Sequence, residues 1–107
     1  MSKPAERGIL MLESRVENRL VREVKRNGGL ALKWVCPGVA GVPDRIVLFP
    51  GGRIVFVELK RPGGKPRPLQ VRFLNWIRKM GFNVDVLDTL EGVDNFIEKY
   101  VDKCDIT

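Results

Sequence analysis

The chain has 107 residues, 44% of them apolar and 30% charged, enough for one domain with one modest core. No apolar run reaches the ~18 residues of a membrane span, no signal-peptide pattern opens the chain, and Cys36 and Cys104 lack metal-ligand spacing. The expectation is a reduced, cytoplasmic protein without a disulfide. Its net charge of +6 is uneven: residues 1–80 carry 17 Lys/Arg against 6 Asp/Glu (+11), and residues 81–107 carry 2 against 7 (−5). A basic body with an acidic end suits a polyanionic partner, nucleic acid above all. With no histidine in the chain, any general base must be a carboxylate, a lysine or a metal-activated water.

In chain order, Met1 to Gly8 is expected to be a flexible leader. Ile9, Leu12, Val16, Leu20 and Val24 then recur at three- and four-residue steps, predicting a helix to about Asn27, with Gly28-Gly29 as its stop. Glu13, Glu17 and Glu23 disturb this pattern, because all three fall on or beside the apolar face. Either they reach solvent at the stripe's edge or a cation nearby draws them inward. Leu30 to Val35 predicts a short strand. Two prolines and two glycines between Cys36 and Pro43 predict a loop.

From Asp44 to Lys60, two apolar runs flank Pro50-Gly51-Gly52 and predict an antiparallel hairpin. Pairing brings Asp44, at the start of the first run, opposite Glu58 near the end of the second. Residues two apart on a strand share a face, so Glu58 and Lys60 point the same way. Two converging carboxylates are costly unless a cation neutralises them, and hard oxygen ligands suit Mg²⁺ or Mn²⁺. Arg61 to Arg67 predicts a flexible cationic loop beside that cluster. Arg45, Arg61, Lys65, Arg67 and Arg72 are the candidates for DNA phosphate contacts.

A second helix is predicted from Pro68 to Met80, a half-buried strand from Phe82 to Leu87, and a last helix from about Leu90 to Lys103 with Thr89 as its cap. The resulting order is α-β-β-β-α-β-α in one domain spanning residues 1–107, an α/β fold with a mixed sheet between helices. Trp34 and Trp76, surrounded by apolar neighbours, are expected in the core or a subunit contact rather than stacked on bases.

The run Pro43-Asp44 … Glu58-Leu59-Lys60 matches the PD-(D/E)XK signature of a nuclease superfamily. With the acid-bearing first helix, Gly38 and Gly41 ahead of the motif, the hairpin, the basic loop and Pro68-Leu69-Gln70, the arrangement resembles the virus-type replication-repair nuclease (VRR-NUC) family in its stand-alone phage and bacterial form. The resemblance spans about residues 12–100. It implies a restriction-endonuclease-like core and a Mg²⁺- or Mn²⁺-dependent DNA endonuclease. Asp44 and Glu58 would then be metal ligands, joined by the Leu59 carbonyl and by Glu17 or Glu13, while Lys60 would orient the attacking water and Gln70 would support the site. It further suggests a homodimer acting on branched or Holliday-junction DNA. A nicking, flap or restriction-type nuclease and a non-catalytic nucleic-acid-binding module are the alternatives.

Overall fold

The computed structural model describes residues 4–101, with side chains from residue 12 onward. Its elements are α1 (Pro4–Arg26), β1 (Leu30–Lys33), β2 (Arg45–Phe49), β3 (Arg53–Leu59), α2 (Pro68–Lys79), β4 (Asn83–Leu87) and α3 (Leu90–Tyr100). The predicted order of elements is the observed one. The first helix begins earlier than expected, at Pro4, so residues 4–8 are helical rather than a leader. Pro4 suits a first turn, and one internal glycine, Gly8, does not stop a helix. The last helix ends at Tyr100, short of the expected Lys103, because Val101 is already extended (φ −77°, ψ 121°); Cys104 lies outside the described residues. Cys36 is a free thiol.

The sheet order is β1-β2-β3-β4, with the first two pairings antiparallel and β3–β4 parallel. The sheet is therefore mixed, and helices lie on both faces. Odd-numbered residues of the central strands, Val47, Phe49, Val55, Val57 and Leu59, pack with Val16, Leu20 and Val24 of α1 and Val93, Phe96 and Tyr100 of α3. Even-numbered Phe56 meets Leu74 and Ile77 of α2, Val84 of β4, and Trp34 just past β1. The two-residue alternation of a strand thus distributes one apolar run between two cores.

The coverage is unequal. The face under α1 and α3 is closed, with Val47, Val55 and Val57 at 0% exposure. Opposite, Leu30, Leu32 and Ile54 share the sheet face with Phe56 but remain substantially exposed. Two helices cover the first face, whereas α2 alone lies on the other; a single helix about 10–12 Å across covers about two strands spaced ~4.8 Å apart.

Local signals close the elements where expected. Thr89 Oγ1 accepts a hydrogen bond from the Gly92 amide at 2.9 Å, capping α3. The hairpin turns through Gly51 and Gly52, both at positive φ (88° and 80°), where a side chain would be strained. At Gly41 (φ 88°) a Cβ would come within 3.0 Å of the Leu69 carbonyl, so this glycine lets the 36–43 loop lie directly on the start of α2.

Candidate active site

The site lies where β2 begins and β3 ends. Arg45 pairs with Val57, which brings Asp44 beside Glu58 at the open end of the hairpin. The Asp44 carboxylate accepts the Leu59 amide hydrogen at 2.9 Å, and its backbone carbonyl accepts from the Trp34 amide at 3.0 Å. One residue thereby ties three strand ends together while its carboxylate remains at the surface.

Glu58 faces the α2 side and is only 1% exposed. Its Oε2 is 3.0 Å from Lys60 Nζ and accepts a hydrogen bond from Gln70 Nε2 at 2.6 Å. The Gln70 Oε1 in turn accepts from the Arg67 amide at 2.9 Å, so both ends of this side-chain amide are committed. The first turn of α2 and the end of the basic loop are thus coupled to a buried carboxylate. Lys60 continues the parallel pairing through its own amide, which donates to the Leu87 carbonyl at 2.9 Å. Burial pushes the Glu58 carboxyl up to about 7; its hydrogen bond with Lys60 opposes that rise, and the neighbouring Asp44 charge adds to it. The remaining Glu58 oxygen, Oε1, is buried without a hydrogen-bond partner among the described residues.

On the other side of Asp44, a shallow cavity of about 180 Å³ is lined by Glu13, Ser14, Glu17, Asp44 and Leu59. Both first-helix acids therefore open onto the site. Glu17 Oε2 is 3.1 Å from an Arg45 guanidinium nitrogen, and a second nitrogen of that group donates to the Ala31 carbonyl at 2.9 Å. Arg45, expected among the phosphate contacts, instead turns inward and bridges α1 to β1. Its side chain is 14% exposed, because the strand start points it under α1 rather than to solvent. Glu23 lies away from the site, 3.7 Å from each of Arg22 and Arg26.

Arg61, Lys65, Arg67 and Arg72 are exposed, as phosphate contacts require. The loop carrying the first three is pinned at Gly63, whose amide donates to Asp88 at 3.1 Å. Trp34 packs against Phe56 and Phe73, with ring centroids 5.3 and 6.1 Å away, and belongs to the core. Trp76 does not: it is 61% exposed. Sequence reasoning also missed Ser14 and the Arg45–Glu17 pair. Ser14 adjoins Glu13 on α1, but nothing in its residue type distinguishes it from an ordinary helix-surface serine.

The donor set fits a hard divalent cation. Asp44 and Glu58 offer oxygens, and one buried Glu58 oxygen lacks the partner that buried polar atoms normally have. A cation there would relieve the burial and like-charge effects that raise the Glu58 pKa. Among the described residues no three acidic or sulfur-bearing side chains converge as a ready ligand group. The ion pairs account for this, since Glu17 is turned to Arg45 and Glu58 to Lys60 and Gln70.

No protein-family model matches the chain. The protein named "Putative nuclease p44" of Acyrthosiphon pisum secondary endosymbiont phage 1 is 49% identical over 80 residues, covering 75% of this chain and 86% of that one. A solved structure described as a VRR_NUC domain is 39% identical and superposes with a TM-score of 0.78, covering 82% of this chain and 96% of the other.

Proposed function

The chain belongs to the VRR-NUC nuclease family, and from that membership and the cluster around Asp44 we propose that it is a Mg²⁺- or Mn²⁺-dependent endonuclease that hydrolyses phosphodiester bonds in branched DNA. The observation that carries this reading is Glu58: a buried carboxylate with one unpartnered oxygen, between a lysine 3.0 Å away and a second acid. Asp44 and Glu58 would hold the metal, with the Leu59 carbonyl and Glu17 or Glu13 supplying further oxygens; Glu17 would exchange its contact with Arg45 to do so. When bound, such an ion lowers the pKa of water and screens phosphate charge.

The protein groups divide the remaining tasks. Lys60 orients the attacking water and neutralises charge developing on the phosphate oxygens. Gln70, committed at both ends, keeps Glu58 from rotating away. Arg61, Lys65, Arg67 and Arg72 hold the strand by its phosphates without reading sequence. Shape rather than sequence then selects the substrate. A two-fold homodimer would make paired cuts across a four-way junction.

The test is a panel of four-way junction, flap, nicked and linear duplex DNA, each incubated with Mg²⁺, Mn²⁺ or EDTA. Cutting of branched substrates with either metal, and none in EDTA, is expected. Binding without cutting in both metals refutes the enzyme, and a monomeric sedimentation mass on junction DNA refutes the dimer.

A further inference from the structure

One flank of α2 contributes only Arg72 to the function just described. Leu69, Arg72, Phe73 and Trp76 recur at three- and four-residue spacing along it, and with Ala40 they line a cavity of about 310 Å³. A second cavity of about 370 Å³ also touches the indole, lined by Arg72, Asn75, Trp76 and Lys79. Phe73 and Trp76 pack perpendicular to one another, with centroids 5.9 Å apart and planes at 81°. Gln70 lies in the first turn of the same helix. Trp76 is about 9 Å farther along the axis and, at 100° per residue, about 120° around it, so the flank is a separate face of the helix that carries the supporting glutamine.

Charge decides which occupant suits this surface. The segment from Arg67 to Lys79 contains Arg67, Arg72, Arg78 and Lys79 and no acid. Arg78 is engaged by Asn75 and the Val84 carbonyl, whereas Arg72 and Lys79 have no ion-pair partner among the described residues. A second copy of the chain packed flank to flank would oppose cation to cation. A nucleic-acid strand offers phosphates to the cations and a flat π-face to the indole. Bases inside a duplex have both faces covered, so only an unpaired nucleotide can present one.

We propose that Trp76 is a stacking platform for an unpaired nucleobase of the DNA, with Arg72 and Lys79 gripping the neighbouring phosphates. This deepens the nuclease reading and rests on it only for DNA as the ligand. It makes the flank a specificity element: substrates with unpaired nucleotides near the branch bind more tightly than perfect duplex.

The probe is a duplex with a short single-stranded dT arm, compared with the same duplex whose arm is wholly abasic. The two present equal phosphates and differ in bases. Binding is measured by anisotropy and tryptophan emission in EDTA, where no metal-dependent cutting occurs. The unmutated protein should prefer the dT arm about 10-fold, within the ~1–3 kcal/mol range for a stacked base, with its emission quenched by that arm alone. Trp76→Ala should bind both arms equally. Trp76→Phe should retain part of the preference, and its remaining Trp34 emission should not be quenched. Because Trp76 is exposed, both variants should melt with the unmutated protein.

Equal binding of both arms by the unmutated protein overturns the proposal, as does a preserved preference in Trp76→Ala. A dimer that dissociates in Trp76→Ala without loss of base preference reassigns the flank to self-association. Base preference without cutting on any substrate leaves the platform standing and removes only the nuclease reading.

Discussion

Two acid–base pairs flank Asp44, and they differ in kind. Glu58 and Lys60 are 3.0 Å apart, with side-chain exposures of 1% and 19%; Glu17 and Arg45 are 3.1 Å apart, at 31% and 14%. In the first pair the acid is buried and retains an oxygen without a partner. In the second the cation is the more enclosed member, its guanidinium also hydrogen-bonded to the Ala31 carbonyl. The first pair leaves an acid short of positive charge, as a cation-binding position does. The second joins an arginine of β2 to α1 and to the Ala31 carbonyl, as a structural brace does, although its Nε is also buried without a partner among the described residues. Similar distances therefore do not imply similar roles; burial and the remaining partners distinguish them.

The largest expected effects separate the pairs by chemistry. Lys60→Ala should reduce Mg²⁺-dependent cutting at least about 10²-fold, the scale of losing one electrostatic stabiliser, while salt-sensitive DNA binding persists. Asp44→Asn should likewise abolish cutting and retain binding. Single-turnover cleavage and binding of the same junction, followed side by side, check both. Arg45→Lys should change binding little, since Arg45 faces α1; a loss of DNA affinity equal to that of Arg67→Ala would make it a phosphate contact after all.

The next effect is on stability. The folded Glu58 carboxyl titrates near 7, above its ordinary 4.5, so the native state holds this proton more tightly than the unfolded chain does. Its contribution is favourable at low pH and is lost as pH rises from about 4.5 through about 7. Glu58→Gln cannot lose that proton. In EDTA, its melting temperature should exceed that of the unmutated protein at pH 8, and the gap should close toward pH 5. Adding Mg²⁺ should narrow the gap at pH 8 by stabilising only the unmutated protein. A gap independent of pH would mean that Glu58 is not held short of positive charge.

A smaller stability loss is expected at the brace. Arg45→Ala leaves the Ala31 carbonyl and Glu17 without their partner and should cost about 1–3 kcal/mol by urea unfolding. Smallest of all is the exposed bidentate pair of Arg19 with Asp94 between α1 and α3, at 2.8 Å and 3.1 Å. Arg19→Ala should leave the unfolding midpoint unchanged within error, as exposed pairs usually do.

Local chemistry made much of this legible. The two apolar runs beside Pro50-Gly51-Gly52, the paired glycines of the turn, and the Thr89 cap each act within a few residues. They identified the elements and brought Asp44 and Glu58 to one end of a hairpin. Pairs distant in sequence were less accessible. Arg45 reads as a surface cation because nothing nearby in the chain signals that α1 passes over it. Trp76 reads as core or subunit contact because helical periodicity groups it with Phe73 and Ile77; its position at the edge of the stripe leaves it out of the core, at 61% exposure.

The sequence alone determined which residues alternate, where the chain turns and which acids meet across the hairpin, because strand geometry and turn stereochemistry are properties of short segments. Only the tertiary structure decided which of those acids is desolvated, which arginine is enclosed and which tryptophan faces solvent. Those outcomes depend on how much of each sheet face a distant helix covers, and α2, alone on its side, leaves part of one face open.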